Sequence, residues 1–229
     1  MGKTDAQLTK IRKDIVDNLS ESDFQWHAVN LGYKQKDGTA GLVTIEVCAP
    51  VRKDGYWIPV TAQETFSIAG RFGWQPLTRA VADQAHNQAQ QFEFKAHTPL
   101  LDFEGYSKKL ESAYGPYYGS KLMSGSHKLW LLSTFSSTKS KAVNYGFYTK
   151  NNAKAPPNGG PKLKDWRVIQ TLGSAHDSAH WDYSQLLQLM KTDKPLTIDG
   201  QGYSLAMALT AGLEVVWDES VKLKSSDLA

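Results

Sequence analysis

DWRVIQTLGSAHDSAHWDYSQLLQLM, Asp165–Met190, carries most of what the chain says about itself. It opens on WRVIQ, an apolar run that predicts a short strand. It closes on YSQLLQLM, where Tyr183, Leu186, Leu187 and Met190 recur at helical spacing behind Asp182 as N-cap. That spacing predicts a helix, although the run is also the length of a buried strand. Between the two, His176, Asp177, His180, Asp182, Tyr183 and Ser184 fall within nine residues. Such groups exchange protons, ligate metals or act as nucleophiles, so their density marks the candidate site.

Outward from this stretch the chain alternates helix and strand signals. Thr4 with Gln7 reads as a capping box, and Leu8, Ile11, Ile15 and Leu19 follow at helical spacing, predicting a helix over about 5–19. GLVTIEVCAP alternates Val43, Ile45 and Val47 on one face, and Asp54-Gly55 sets a hairpin into YWIPV. Thr61 with Glu64 opens a second capped helix that ends at Gly73, and Pro76-Leu77-Thr78 starts another, reaching about Gln91. A short helix is expected in EGYSKKLESAYG, strands in KLWLLSTF and KAVNYGFYT, and an exposed loop in NNAKAPPNGGPKLKD. KPLTIDGQGYS reads as strand and turn, and Ser204 caps a last helix ending at Gly212. No repeat or linker interrupts the pattern. The expectation is an α+β fold: one domain over 1–229, a mixed or antiparallel sheet with flanking helices, and a site-bearing part at about 120–190.

Composition narrows the classes. With 41% hydrophobic and 21% charged residues the chain is of ordinary soluble type. The net charge of +3 is spread over scattered lysines, which predicts a solvated surface and no specific nucleic-acid partner. Cys48 stands alone, so neither an internal disulfide nor a cysteine zinc site is available. No apolar stretch suggests a signal peptide or a membrane span. The expected compartment is the cytoplasm, with extracytoplasmic action requiring another release route. GxGxxG and GxxxxGK[ST] are absent, so no nucleotide cofactor is expected, and the absence of GxSxG argues against an ordinary α/β-hydrolase.

Two chemistries suit the central cluster. In the first, His180 is a general acid/base oriented by Asp182, acting on water or Ser184, while His127 and Lys128 stabilise an oxyanion and Tyr145 completes the pocket. In the second, His176 and His180, four residues apart, share zinc with Asp182 or His127. Tyr117 and Tyr118 lie in the Tyr/Gly-rich stretch YGPYYGSKLMSGSH, a loop suited to sugar contacts, and Gln170 and Tyr183 flank the cluster. His27, His86 and His97 lack acidic company in sequence and read as structural, and Cys48 as inert core.

The motifs Thr61-Ala62-Gln63, Pro76-Leu77-Thr78, Gly125-Ser126-His127-Lys128, Tyr145-Gly146, Ile169-Gln170 and Asp182-Tyr183-Ser184 occur in this order. In them the chain resembles a bacterial protein family of uncharacterised activity, over most of its length. It departs where that family has His in place of Gln185 and an aromatic–His pair near Tyr148. The resemblance implies one integral domain and points to the same residues, with no activity attached. The functional expectation is a hydrolase acting on a cell-wall or related glycan or peptide polymer. The alternative is a non-enzymatic glycan-binding or structural protein of a virion or cell surface.

Overall fold

The computed structural model describes residues 2–134, 142–150 and 165–228, so the expected loop at 151–164 lies outside the described residues. Thr4 accepts from the Gln7 amide while the Gln7 side chain returns to the Thr4 N–H, and α1 (Asp5–Asp17) follows. Its apolar stripe, Leu8, Ile15 and Val16, is buried. Two long antiparallel strands come next, β1 (Trp26–Lys34) and β2 (Ala40–Cys48), in register from Trp26 opposite Cys48 to Lys34 opposite Ala40. Val29 and Leu31 of β1 face Ile45 and Val43 of β2 on the core side. β1 has no counterpart in the sequence expectations.

The short hairpin of β3 (Arg52–Lys53) and β4 (Tyr56–Trp57) turns at Asp54 and Gly55, both with positive φ, as a tight two-residue turn requires. α2 (Ala62–Phe72) has the expected Thr61–Glu64 capping box and a left-handed Gly73. β5 (Gln75–Pro76) leads to α3 (Arg79–Gln88), capped by Thr78. α3 stops at Gln88, before the expected Gln91, because β6 (Gln90–Gln91) pairs in parallel with β7 (Met123–Ser124). Between them lies α4 (Phe103–Tyr114), capped by Asp102.

The site-bearing sheet is β8 (Lys128–Leu131), β9 (Val143–Lys150) and β10 (Trp166–Gly173), antiparallel with β9 in the middle. The chain then forms β11 (Leu189–Lys191), which completes the order β1-β2-β11-β5. Here the helical expectation for 183–190 fails. Every residue from Trp181 to Met190 is buried, and β11 pairs with β2 and β5. Such a segment, covered on all sides, satisfies its backbone by laddering with neighbours. β12 (Leu196–Ile198) and β13 (Gln201–Tyr203) make the expected hairpin, and α5 (Leu205–Ala211) runs from Ser204 to a left-handed Gly212.

The architecture is α+β, with several small, mainly antiparallel sheets and helices beside them. One core cluster joins residues from Leu8 to Leu223, so elements from both ends of the chain share it. Among the described residues no helix is long and apolar enough to cross a membrane.

Candidate functional site

Lys128 opens β8 opposite Gly146, and Gly146 pairs in turn with Gln170 of β10. After Gly173 the chain loops outward and comes back along the other side of Lys128. There the Lys128 N–H donates to Ser184 O at 2.7 Å and the Leu186 N–H to Lys128 O at 3.1 Å. The loop is fastened by Gln63, whose backbone and side-chain N–H groups donate to Ser178 O and Oγ at 3.0 and 2.8 Å. It is held further by Trp181 beneath the Arg12 guanidinium and by the Tyr183 N–H on Leu100 O. Gln63 thus anchors the loop, and Lys128, Gly146, Gln170, Asp182 and Ser184 meet around the end of one sheet.

At the centre is the buried pair Lys128–Asp182. Lys128 Nζ donates to Asp182 Oδ2 at 2.8 Å and also lies over the Phe147 ring. Asp182 Oδ1 accepts from the Ser184 N–H at 2.8 Å and from its hydroxyl. Burial pushes the Asp182 carboxyl up, but the Lys128 charge and the hydrogen bonds from Lys128 and Ser184 outweigh it and hold it below the usual range. The carboxylate is therefore ionised at neutral pH. His180 sits above it, Nε2 3.8 Å from Oδ2, with its side chain 31% exposed against 6% for Asp182. His176 stacks on His180, centroids 3.8 Å apart and planes within 5°. Burial and the neighbouring His180 and Lys128 lower the His176 pKa, with Asp182 and Asp177 opposing.

Several expected members lie elsewhere. His127 points to the opposite side of β8 from Lys128 and is fully buried. Its Nε2 donates to Gln188 Oε1 at 2.7 Å, which leaves Nδ1 to accept from Tyr114 OH at 2.9 Å. Burial lowers its pKa to about 4, so it is a neutral core group and stabilises no oxyanion. Lys128 also loses that role, since its ammonium is buried and engaged by Asp182. Tyr145 turns to α3 and donates to Asp83 Oδ1 at 2.7 Å. Tyr183 packs on Tyr106 and accepts from the His97 N–H. Tyr118 stands edge-on to Trp57 near Arg52, and Tyr117 packs on Phe92, both away from His180. Ser184 is 1% exposed, so its hydroxyl serves Asp182 and is closed to substrate.

The zinc alternative meets a geometric obstacle. Metal ligation uses in-plane nitrogen lone pairs about 2 Å from the ion. Two parallel imidazoles 3.8 Å apart aim theirs in separate planes. Among the described residues, no three His, Cys, Asp or Glu side chains are grouped to hold a metal ion.

Sequence reasoning missed Asp83. Burial raises its pKa to about 6, against hydrogen bonds from Tyr145 and Tyr148 that lower it. It also missed the company of His97, whose Nε2 is 2.9 Å from Asp102. Helical spacing of Arg79, Asp83 and His86 on α3 was the one available signal for the first. Comparison with family models, curated proteins and solved structures yields no match. The function is therefore argued from the geometry.

Proposed function

We propose that the chain is a hydrolase acting on an extended glycan or peptide polymer of the cell-wall kind, with His180 as general acid/base. The observation that carries this reading is a partly exposed imidazole poised over a buried, ionised carboxylate. Asp182 stabilises the imidazolium formed when His180 takes a proton from water, and Lys128 and Ser184 keep Asp182 charged and in place. The 3.8 Å separation exceeds a hydrogen bond, and such pairs commonly tighten when substrate binds. The polymer class is favoured by exposure. The His180 side chain is 31% exposed and can be reached by an extended chain at the surface, and five cavities of about 320 to 920 Å³ lie on other residues.

The test is release of new reducing ends or amino groups from peptidoglycan. His180→Ala and Asp182→Asn should each cut turnover by about 10²–10⁴-fold, with the thermal midpoint of His180→Ala retained. Full activity in both variants would sink the assignment. A second reading, a non-enzymatic recognition protein, is favoured by one observation. The largest of these cavities, about 920 Å³, lies against α4, on residues apart from the His180 cluster. In that case ligand binding would survive His180→Ala unchanged.

A further inference from the structure

The segment Gln90–Lys95 donates its paired N–H groups along one edge, while the Glu93 carbonyl accepts from Ser126 Oγ at 2.7 Å. The N–H groups of Gln90, Phe92 and Phe94 donate to Leu122, Ser124 and Tyr148 carbonyls at 2.8, 2.9 and 3.1 Å. Along an extended strand successive N–H groups point to opposite sides, so those of Gln91 and Glu93 face the other way. Among the described residues neither finds an acceptor. The 920 Å³ cleft runs beside this segment. Consecutive residues from Ala89 to Glu93 line it, as expected of a wall made by a strand's edge, since a wall made by its face would use alternate residues. The facing wall is one side of α4, where Tyr106, Leu110 and Ala113 fall at i, i+4 and i+7.

Charge selects the occupant. Lys95, Lys109 and Lys150 line the cleft, with Glu93 the one carboxylate among its described lining residues. Glu93 Oε1 already accepts from Thr149 Oγ1 and the Lys150 N–H. We propose that this groove takes an extended acidic peptide from a partner protein, paired with the Gln91 and Glu93 N–H groups, its apolar side chains on Phe92 and Ala113 and its carboxylates on the lysines. The site is independent of the His180 reading, and main-chain pairing makes it tolerant of peptide sequence.

The test uses the isotope-labelled full chain and a capped octapeptide of alternating Glu and Val at millimolar concentration. Amide exchange at Gln91 and Glu93 should slow about tenfold or more on addition. Ala113→Trp, which fills the groove, should weaken binding about tenfold. The surface pair Lys95→Glu with Lys109→Glu should do the same, and keeps the test valid if the tryptophan variant misfolds. Unchanged exchange at both amides, or binding indifferent to the lysine reversals, would overturn the proposal. Tetragalacturonate binding in place of the peptide, with both amides still exchanging, would also overturn it and assign the cleft to a carboxylated glycan.

Discussion

Lys128 and Asp182 hold each other charged in a place where neither is stable alone. Each is at most 7% exposed, and they are 54 residues apart in sequence. Removing one partner of a buried pair strands the other charge, which typically costs about 3–5 kcal/mol. Lys128→Met should therefore lower the unfolding free energy from urea denaturation by that much, while the double change Lys128→Met with Asp182→Leu should recover most of the loss. A single variant as stable as the parent would show that water reaches the pair. The same logic separates two histidines that the sequence placed in one site. His180 is partly exposed above a carboxylate, and His127 is locked between Tyr114 and Gln188.

Elements are secured where backbone geometry leaves no slack. Gly125 has φ +118°, and a Cβ there would lie 1.8 Å from Phe92 O. Gly125→Ala should cost about 3 kcal/mol or more, from left-handed strain and the collision together. An unchanged denaturation midpoint would contradict this close approach. β1 is an edge strand, and α3 covers it with two glutamines one turn apart. Gln84 Oε1 accepts from the Gly32 N–H at 2.9 Å, and Gln88 both accepts from the Asn30 N–H and donates to Asn30 O. The amides thus satisfy an edge otherwise open to another strand. Replacing both by Ala should leave the fold intact and raise self-association, readable by light scattering. A strictly monomeric double variant under destabilising conditions would argue against that role.

Across the whole molecule, buried titratable groups set the response to acid. Burial lowers His86 to about 3 and His127 to about 4, so both bind protons in the unfolded chain near pH 6.5 and resist them when folded. Their contribution is present above pH 6.5 and lost as pH falls towards those values. Asp83 works in the opposite sense. Raised to about 6, it holds a proton in the folded state that the unfolded chain releases, so its contribution is lost as pH rises through 6. Between about pH 4 and 6 the two histidines outnumber the one acid by 2 − 1 = 1 proton. Stability should fall on acidification from pH 7 to 5, and Asp83→Asn should steepen the fall between pH 6 and 4. Urea midpoints against pH measure both. A flat or rising profile would mean the histidines are protonated in the native state.

The sequence by itself determined the pieces whose partners lie within about four residues. The Thr4–Gln7 and Thr61–Glu64 boxes, the Ser204 cap, the Asp54-Gly55 turn and the stops at Gly73 and Gly212 all sit where local hydrogen bonding and left-handed geometry require. The cluster of proton-exchanging groups after β10 was legible for the same reason, as a matter of composition along the chain. Only the tertiary structure decided the rest. Helical spacing in 183–190 gave way to a turn at Tyr183–Ser184, bridges at Gln185 and Leu186 and a strand from Leu189, because that run is covered on all sides and its end ladders with β2 and β5. β8 fixed which way its neighbours point, since successive strand residues face opposite sides: Lys128 reached Asp182, and His127 went to the core. Propensity and caps act over one turn, whereas burial and the sign of a neighbouring charge depend on residues that meet only after the chain has closed on itself.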